Sequence, residues 1–181
     1  MAVGSDVWLA ESFFTGTNLG GYDLTSVQLK TAPASGVPSG FSVAIYADDP
    51  KNFRYPGNHL GSLAGPDPEA GGIFTYTASG ISLSPSTYYF VVLTAATSVT
   101  NGAHAWSFAD VSSYTSSGGW FLGPYHHSSP DGSLWNRVAV PDFQFGVEAA
   151  AVPEPSVSVL AGFGLSCLAL WRRERRQAKK S

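Results

Sequence analysis

The lack of helical periodicity over most of this chain constrains its fold more than any other feature. Between Trp8 and Val147 no run of ten or more residues repeats apolar positions at helical spacing. Short apolar or alternating runs are separated instead by clusters of Gly, Pro, Ser, Asn and Asp, which favour turns. The 20 Gly and 12 Pro residues fit such a pattern. We therefore predict an all-β domain over residues 1–148, an antiparallel β-sandwich of jelly-roll-like topology.

The strand prediction comes from six runs: 22–30, 41–46, 73–77, 88–93, 105–109 and 143–147. In the first run, alternation places Thr25, Val27 and Leu29 on one face of the strand. The run 88–93 is continuously apolar, as expected of a central strand that is covered on both faces. The intervening segments, among them 31–40 and 48–58, are predicted to be turns.

Charge is divided unevenly along the chain. Residues 172–181 contain six basic residues and one acid, a net charge of +5, whereas the preceding 171 residues carry −8. Seventeen uncharged residues separate Glu154 from Arg172. As a helix they would span roughly 25 Å, slightly less than the ~30 Å hydrocarbon core of a membrane. We predict a linker at 149–156, a single transmembrane helix at 157–171 and a basic cytoplasmic tail at 172–181.

The order of parts in this tail resembles a known sorting signal. A Pro-Glu-Pro motif is followed by the apolar segment and then by a basic, stop-transfer cluster. The motif is Val152, Pro153, Glu154 and Pro155, and the cluster is Arg172, Arg173, Arg175 and Arg176. The arrangement is similar to the PEP-CTERM signal of Gram-negative bacteria that produce exopolysaccharide. The resemblance implies recognition by an exosortase, an integral-membrane enzyme, and cleavage near the motif.

This resemblance also implies a location. The protein would pass through the inner membrane, in contact with membrane lipid, to the cell surface or the extracellular matrix of a biofilm. Residues 1–6 have neither a basic n-region nor an apolar h-region. Because export needs such a signal, we expect that the start codon is assigned too late. The alternative is that the protein is not exported and that the tail is a relic. Two alternatives for the tail are an uncleaved single-pass membrane anchor and a short core helix. The core helix is less compatible with the dense cluster of basic residues at the end of the tail.

The body resembles a family through a series of short runs. These runs are 7–16 (VWLAESFFTG), 21–27 (GYDLTSV), 41–46 (FSVAIY), 84–92 (SPSTYYFVV), 106–108 (WSF) and 142–145 (DFQF). Their order is similar to that of choice-of-anchor R domains, surface modules that occur with various C-terminal anchors. The family pattern has Gln more often than Glu at position 11. No enzymatic activity is implied by this resemblance.

Few side chains of the body suggest metal binding. Adjacent residues on a strand face opposite ways, so we expect His126 and His127 to be a solvated loop pair rather than ligands of one ion. Asp48 and Asp49 are candidate Ca²⁺ ligands, although Asp-Asp-Pro is also an ordinary turn. No other metal site and no cofactor is predicted.

Catalysis and nucleic-acid binding are not expected. Cys167 lies in the apolar segment without a neighbouring His, which disfavours a nucleophilic role. Neither a Gly-x-Ser-x-Gly elbow nor a phosphate-binding glycine loop occurs. The acidic body also lacks the basic side chains that neutralise phosphates. We therefore predict a non-catalytic body and no nucleic-acid partner.

Aromatic residues are the remaining candidates for ligand binding. Trp106 lies within an alternating run, and we expect it in the core. Trp120 and Trp135 are flanked by Gly and polar residues and are predicted to be more exposed, with Tyr125 as a third ring. Exposed rings can stack on sugars. The alternative function is therefore a carbohydrate-binding module for exopolysaccharide.

Overall fold

The regular elements of this protein are β-strands throughout the part that its computed structural model describes, residues 1–109 and 116–154. The strands are β1 Ala2–Val3, β2 Trp8–Phe14, β3 Tyr22–Gly36, β4 Ser42–Asp48, β5 Pro56–Leu63, β6 Gly72–Thr77, β7 Ser82–Leu83, β8 Tyr88–Thr94, β9 Gly102–Trp106, β10 Phe121–Ser129, β11 Asn136–Arg137 and β12 Phe145–Ala151. All pairings between them are antiparallel. The prediction of an all-β antiparallel fold is confirmed.

The predicted membrane segment at 157–171 and the basic tail at 172–181 lie outside the described residues, as does Pro155 of the motif. In the part of the chain that is described, no helix of sufficient length and apolarity to cross a membrane is found.

Two six-stranded sheets make up the domain. The first has the order β1-β9-β3-β12, and β6 and β7 also pair with β3. The second has the order β11-β10-β2-β8-β4-β5. The long strand β3 thus organises the first sheet, because four strands besides itself attach along its 15 residues.

One hydrophobic core contains side chains from both sheets. The second sheet contributes alternate residues, such as Leu9 and Phe13 of β2 and Val91 of β8, while Leu29 and Trp106 come from the first. Trp106 is 1% exposed, which confirms its predicted core position. The two-residue period of a strand thereby fixes which face of β2 and β8 points inward.

The opposite face of the second sheet is covered as well. Ala10, Phe90 and Val92 form a second buried apolar cluster there. Trp8 and Trp135 are among the partly buried residues that pack against it. Strand β8 is therefore buried on both faces, as its continuously apolar sequence predicts.

Strand β3 departs from simple alternation near its start. Val27 and Leu29 are buried, but Thr25 is exposed, and its hydroxyl donates to the Glu148 carbonyl oxygen at 2.8 Å. The pairing of β3 with β12 shifts register between Glu148 and Ala149. A bulge of this kind changes the face on which residues point. The predicted placement of Thr25 beside Val27 is therefore wrong.

Strand boundaries also differ from the sequence-based expectation. Strand β3 continues to Gly36 through part of a predicted turn, and β5 begins inside another, at Pro56. The first three residues of the predicted linker, 149–151, are the end of β12. Pairing with Tyr22, Asp23 and Leu24 explains this extension, because it gives the backbone of 149–151 hydrogen-bonding partners.

Candidate functional site

A cluster of three titratable side chains lies at the edge of the core. Glu11 of β2 and His126 of β10 are directly opposite each other in the antiparallel pair, so both side chains point to the same face of the sheet. That face is the inner one, because Leu9 and Phe13 flank Glu11 at the alternate positions of β2. Glu11 is 0% exposed and His126 is 7% exposed.

A bulge in β10 sets this register. Leu122 pairs with Phe13 and His126 pairs with Glu11. Between these two pairs β10 therefore contains two more residues than β2. The bulge contains Gly123 and Pro124, which a regular central strand would not accommodate. A Cβ at position 123 would collide with the hydroxyl of Ser12 and would displace it from its hydrogen bond with the Tyr125 N–H.

Asp142 completes the cluster from the segment between β11 and β12. His126 Nδ1 lies 3.7 Å from Glu11 Oε2, and His126 Nε2 lies 3.3 Å from Asp142 Oδ1. The backbone N–H of Phe143 donates to Glu11 Oε2 at 2.7 Å. The carbonyl oxygen of Asp142 accepts a 2.7 Å hydrogen bond from the N–H of Ala109. These two bonds hold the segment against Glu11 of β2 and against the chain that follows β9.

Burial determines the protonation of the cluster. Desolvation raises the pKa of the Glu11 carboxyl to about 9; the Phe143 N–H opposes this shift and the charge of Asp142 adds to it. The pKa of His126 is lowered by burial, against the opposing effect of Asp142. Without a bound cation, Glu11 therefore carries its proton at neutral pH while His126 is neutral, and the contact between them is not an ion pair.

His127 faces the other side of β10. Its ring is 0% exposed and lies between Tyr55 and Phe90, with ring centroids 4.5 and 5.6 Å away. Burial, followed by the charges of Arg137 and His126, lowers the pKa of His127 to about 4. The predicted solvated loop pair is therefore wrong: the bulge lets the Gly-Pro sequence continue as a strand, and both imidazoles are buried.

The two predicted Ca²⁺ ligands, Asp48 and Asp49, accept hydrogen bonds from backbone N–H groups of the loop that follows them. Asp48 Oδ1 accepts a hydrogen bond from the Arg54 N–H at 2.8 Å, and Asp49 Oδ1 accepts one from the Lys51 N–H at 2.9 Å. Such bonds are typical of Asp in turns. Over residues 1–109 and 116–154, neither carboxylate belongs to a group of three metal-ligating side chains, whereas Glu11 does.

The three candidate sugar-stacking rings lie in two places. Trp120 packs against the core between the sheets, stacked on Phe13 at 6.1 Å and edge-on to Tyr22 at 4.8 Å. Trp135 and Tyr125 instead pack against the cluster on the outer face of the second sheet. The structure thus brings Trp135 and Tyr125 to one surface and separates Trp120 from them.

Two arginines accompany Tyr125 on that outer face. The guanidinium carbons of Arg54 and Arg137 lie 5.0 and 4.9 Å from the centroid of its ring. Arg54 also donates to the Tyr125 hydroxyl at 2.9 Å and lies 3.8 Å above the ring of Tyr88. We call Arg54, Tyr125, Trp135 and Arg137 the cationic aromatic patch.

The first part of the Pro-Glu-Pro motif follows β12 directly. The N–H of Val152 donates to the Gly21 carbonyl oxygen at 3.0 Å, and its own carbonyl oxygen accepts from the Asn18 amide at 2.9 Å. Pro153 and Glu154 are exposed. Glu154 Oε1 accepts a hydrogen bond from the Leu19 N–H at 3.0 Å.

Sequence reasoning did not identify Glu11 and Asp142 as site residues. One signal for Glu11 is present: it takes an alternate position between Leu9 and Phe13, which places a charge on the apolar face of a strand. No comparable signal marks Asp142, because its position depends on how β12 returns to the first sheet. No family model, curated protein or solved structure matches this chain.

Proposed function

We propose that this chain is an exported bacterial surface or extracellular-matrix protein, sorted through its C-terminal tail by an exosortase-type enzyme. Its body is a non-catalytic β-sandwich of jelly-roll-like topology. The tail, on the resemblance to PEP-CTERM signals, provides recognition at Pro153, Glu154 and Pro155. The apolar segment 157–171 crosses the inner membrane, and the basic residues 172–181 stop transfer on the cytoplasmic side.

The observation that supports this proposal most directly is the position of the motif relative to the domain. The last strand ends at Ala151, and the exposed Pro153 and Glu154 come two and three residues later. A processing enzyme can therefore reach Pro153 and Glu154 without unfolding β12, although it would displace the hydrogen bond between Glu154 and the Leu19 N–H. Strands β1 to β12 all precede the motif. Cleavage there would therefore leave both sheets in the released part of the chain.

Replacing Pro153, Glu154 and Pro155 by alanine is expected to block sorting. The full chain would be produced behind a cleavable export signal in a host that has the exosortase, and the intact mass of the surface form would be measured. We expect the parent protein to lose residues 172–181, whereas the triple variant keeps them and stays in the membrane fraction.

Two controls make this result specific. Glu148→Ala removes an exposed carboxylate from β12, outside the motif, and should be processed like the parent. A host that lacks the exosortase should leave the parent chain uncleaved. Retention of residues 172–181 in the surface form of the parent would contradict the proposal and favour an uncleaved membrane anchor.

A second candidate function is binding of an acidic exopolysaccharide by the cationic aromatic patch. The 171 residues before the basic tail contain only four Lys or Arg residues, and two of them, Arg54 and Arg137, belong to this patch. Guanidinium groups pair with carboxylates, and aromatic faces stack on sugar rings. This combination favours uronate-containing chains over neutral ones.

Substitutions in the patch should weaken retention on an acidic polysaccharide such as alginate. We expect Trp135→Ala and Arg137→Ala each to lower the fraction retained in a pull-down several-fold, with dextran as the neutral comparison. Lys30→Ala, which removes a cation from the first sheet, is the matched control and should bind like the parent. If Trp135→Ala and Arg137→Ala were retained on alginate as fully as the parent and Lys30→Ala, the patch would be excluded as the binding surface.

A further inference from the structure

Glu11, His126 and Asp142 have the arrangement of ligands around one ion. One ligand atom from each of the three side chains lies within 4.8 Å of the other two. The 3.3 Å between His126 Nε2 and Asp142 Oδ1 is close to the separation of two ligands that each lie ~2.0–2.2 Å from a shared metal. The three side chains come from β2, from β10 and from the segment that leads into β12.

Two polar atoms of this cluster lack partners. Glu11 Oε1 and His126 Nδ1 are buried and form no hydrogen bond with any described residue. A buried polar atom without a partner is destabilising, and a buried carboxylate is especially so. An imidazole binds one ion through one nitrogen, so a divalent cation held by His126 Nε2 and Asp142 would balance the carboxylate charge of Glu11 and provide the missing interaction of Glu11 Oε1.

The donor set indicates the class of ion. Ca²⁺ and Mg²⁺ prefer shells made of oxygen, whereas an imidazole nitrogen with carboxylate oxygens suits Zn²⁺ and neighbouring transition metals. We propose that Glu11, His126 and Asp142 bind one divalent transition-metal ion of the Zn²⁺ class. The Asp142 side chain is 41% exposed, so the ion has a path from solvent.

The position of this site indicates a structural role. Glu11 and His126 belong to the second sheet, while Asp142 lies three residues before β12 of the first sheet. An ion bound by all three would fasten the returning segment to the second sheet. Its anchor point, Asp142, lies ten residues before Val152, the first residue of the motif.

Zinc titration of the chelator-treated full chain in mild detergent tests this site. We expect the parent to bind one equivalent of Zn²⁺ by calorimetry and to melt at a higher temperature when Zn²⁺ is present. Asp142→Asn should weaken binding by about tenfold or more, a loss that even substitutions of supporting residues around metals cause. Because Asp142 is partly exposed, this variant should keep its fold.

Controls separate this site from adventitious histidine binding. His59→Gln removes an exposed imidazole from β5 and should bind Zn²⁺ like the parent. Glu11→Gln keeps the shape of the side chain, and it should lose affinity without losing the near-ultraviolet circular dichroism of the folded protein. Failure of the parent to bind Zn²⁺, or parent-like affinity in Asp142→Asn, would overturn the proposal. Neither result depends on whether the tail is processed.

Discussion

Replacing Trp106 by alanine is expected to lower the free energy of unfolding by about 3–5 kcal/mol, the usual range for removing a large aromatic side chain from a core. The indole is 1% exposed and stacks on Phe143 with ring centroids 4.3 Å apart and planes inclined by 13°. Its N–H also donates to the Gln144 carbonyl oxygen at 3.3 Å. Truncation removes both the packing and this bond.

The Trp106→Ala substitution should also disturb the cluster of titratable side chains around Glu11. Phe143, which stacks on the indole, supplies the N–H that bonds Glu11, and Asp142 immediately precedes it. We therefore expect Trp106→Ala also to weaken any metal binding by the cluster. Urea unfolding of the full chain in mild detergent, followed by near-ultraviolet circular dichroism, measures the stability change.

Two further variants calibrate that measurement. Trp106→Phe keeps an aromatic ring and should lose less stability than Trp106→Ala. Trp135→Ala removes the same side chain from the half-buried outer surface and should also lose less. A change below about 1 kcal/mol in Trp106→Ala would be typical of a surface substitution and would contradict the assigned core position.

The strands that were predicted well from sequence are those in which the pattern of apolar side chains alone indicates which faces are buried. The run that became β8 is apolar at nearly every position, so its burial on both faces follows from composition alone. Alternation in β4 similarly places Val43 and Ile45 in the core. Turn signals were less informative, because Pro56 begins β5 and Pro124 lies within a bulge of β10.

The candidate site could not be predicted because it depends on long-range register. Glu11, His126 and Asp142 are far apart in sequence and meet only when β10 pairs with β2 and the chain returns to β12. Shifting the β10 register by one residue would turn His127 inward instead of His126. The bulge at Gly123 and Pro124 adds two residues to β10, so His126 stays on the inner face but opposes Glu11, and the size of a bulge is not evident from local sequence. The membrane segment at 157–171 stays a prediction.

The pH dependence of stability tests the burial of Glu11 independently of any metal. The pKa of this carboxyl rises from an ordinary value of 4.5 to about 9 on folding. Between these values the folded state binds one more proton than the unfolded state. Stability due to this group is therefore present in full below pH 4.5 and is lost as the pH rises towards 9, by about 1 kcal/mol per pH unit.

The upper part of this range excludes the effect of His127, but the N-terminal amine, whose pKa burial lowers from 8.0, also acts there and in the direction opposite to Glu11. The pKa of His127 falls from 6.5 to about 4, so its contribution is complete above pH 6.5 and is lost in acid. Below pH 6.5 the two groups act in opposite directions, but between pH 7 and 9 His127 is neutral in both states. With EDTA present, the free energy of unfolding of the parent, taken relative to Glu11→Gln with its identical N-terminal amine, should decline across that upper window.

Glu11→Gln should remove this decline. The amide has nearly the shape of the protonated carboxyl, and its carbonyl oxygen can still accept the Phe143 N–H, so the two proteins should have similar stability near pH 4.5. Because the parent must take up a proton on folding above that pH, the variant should already be more stable than the parent at pH 7, and the difference should widen towards pH 9. Urea unfolding at several pH values in EDTA measures both profiles. Parallel profiles for the two proteins would mean that Glu11 is ionised in the folded state, with its charge balanced by a neighbour other than a metal.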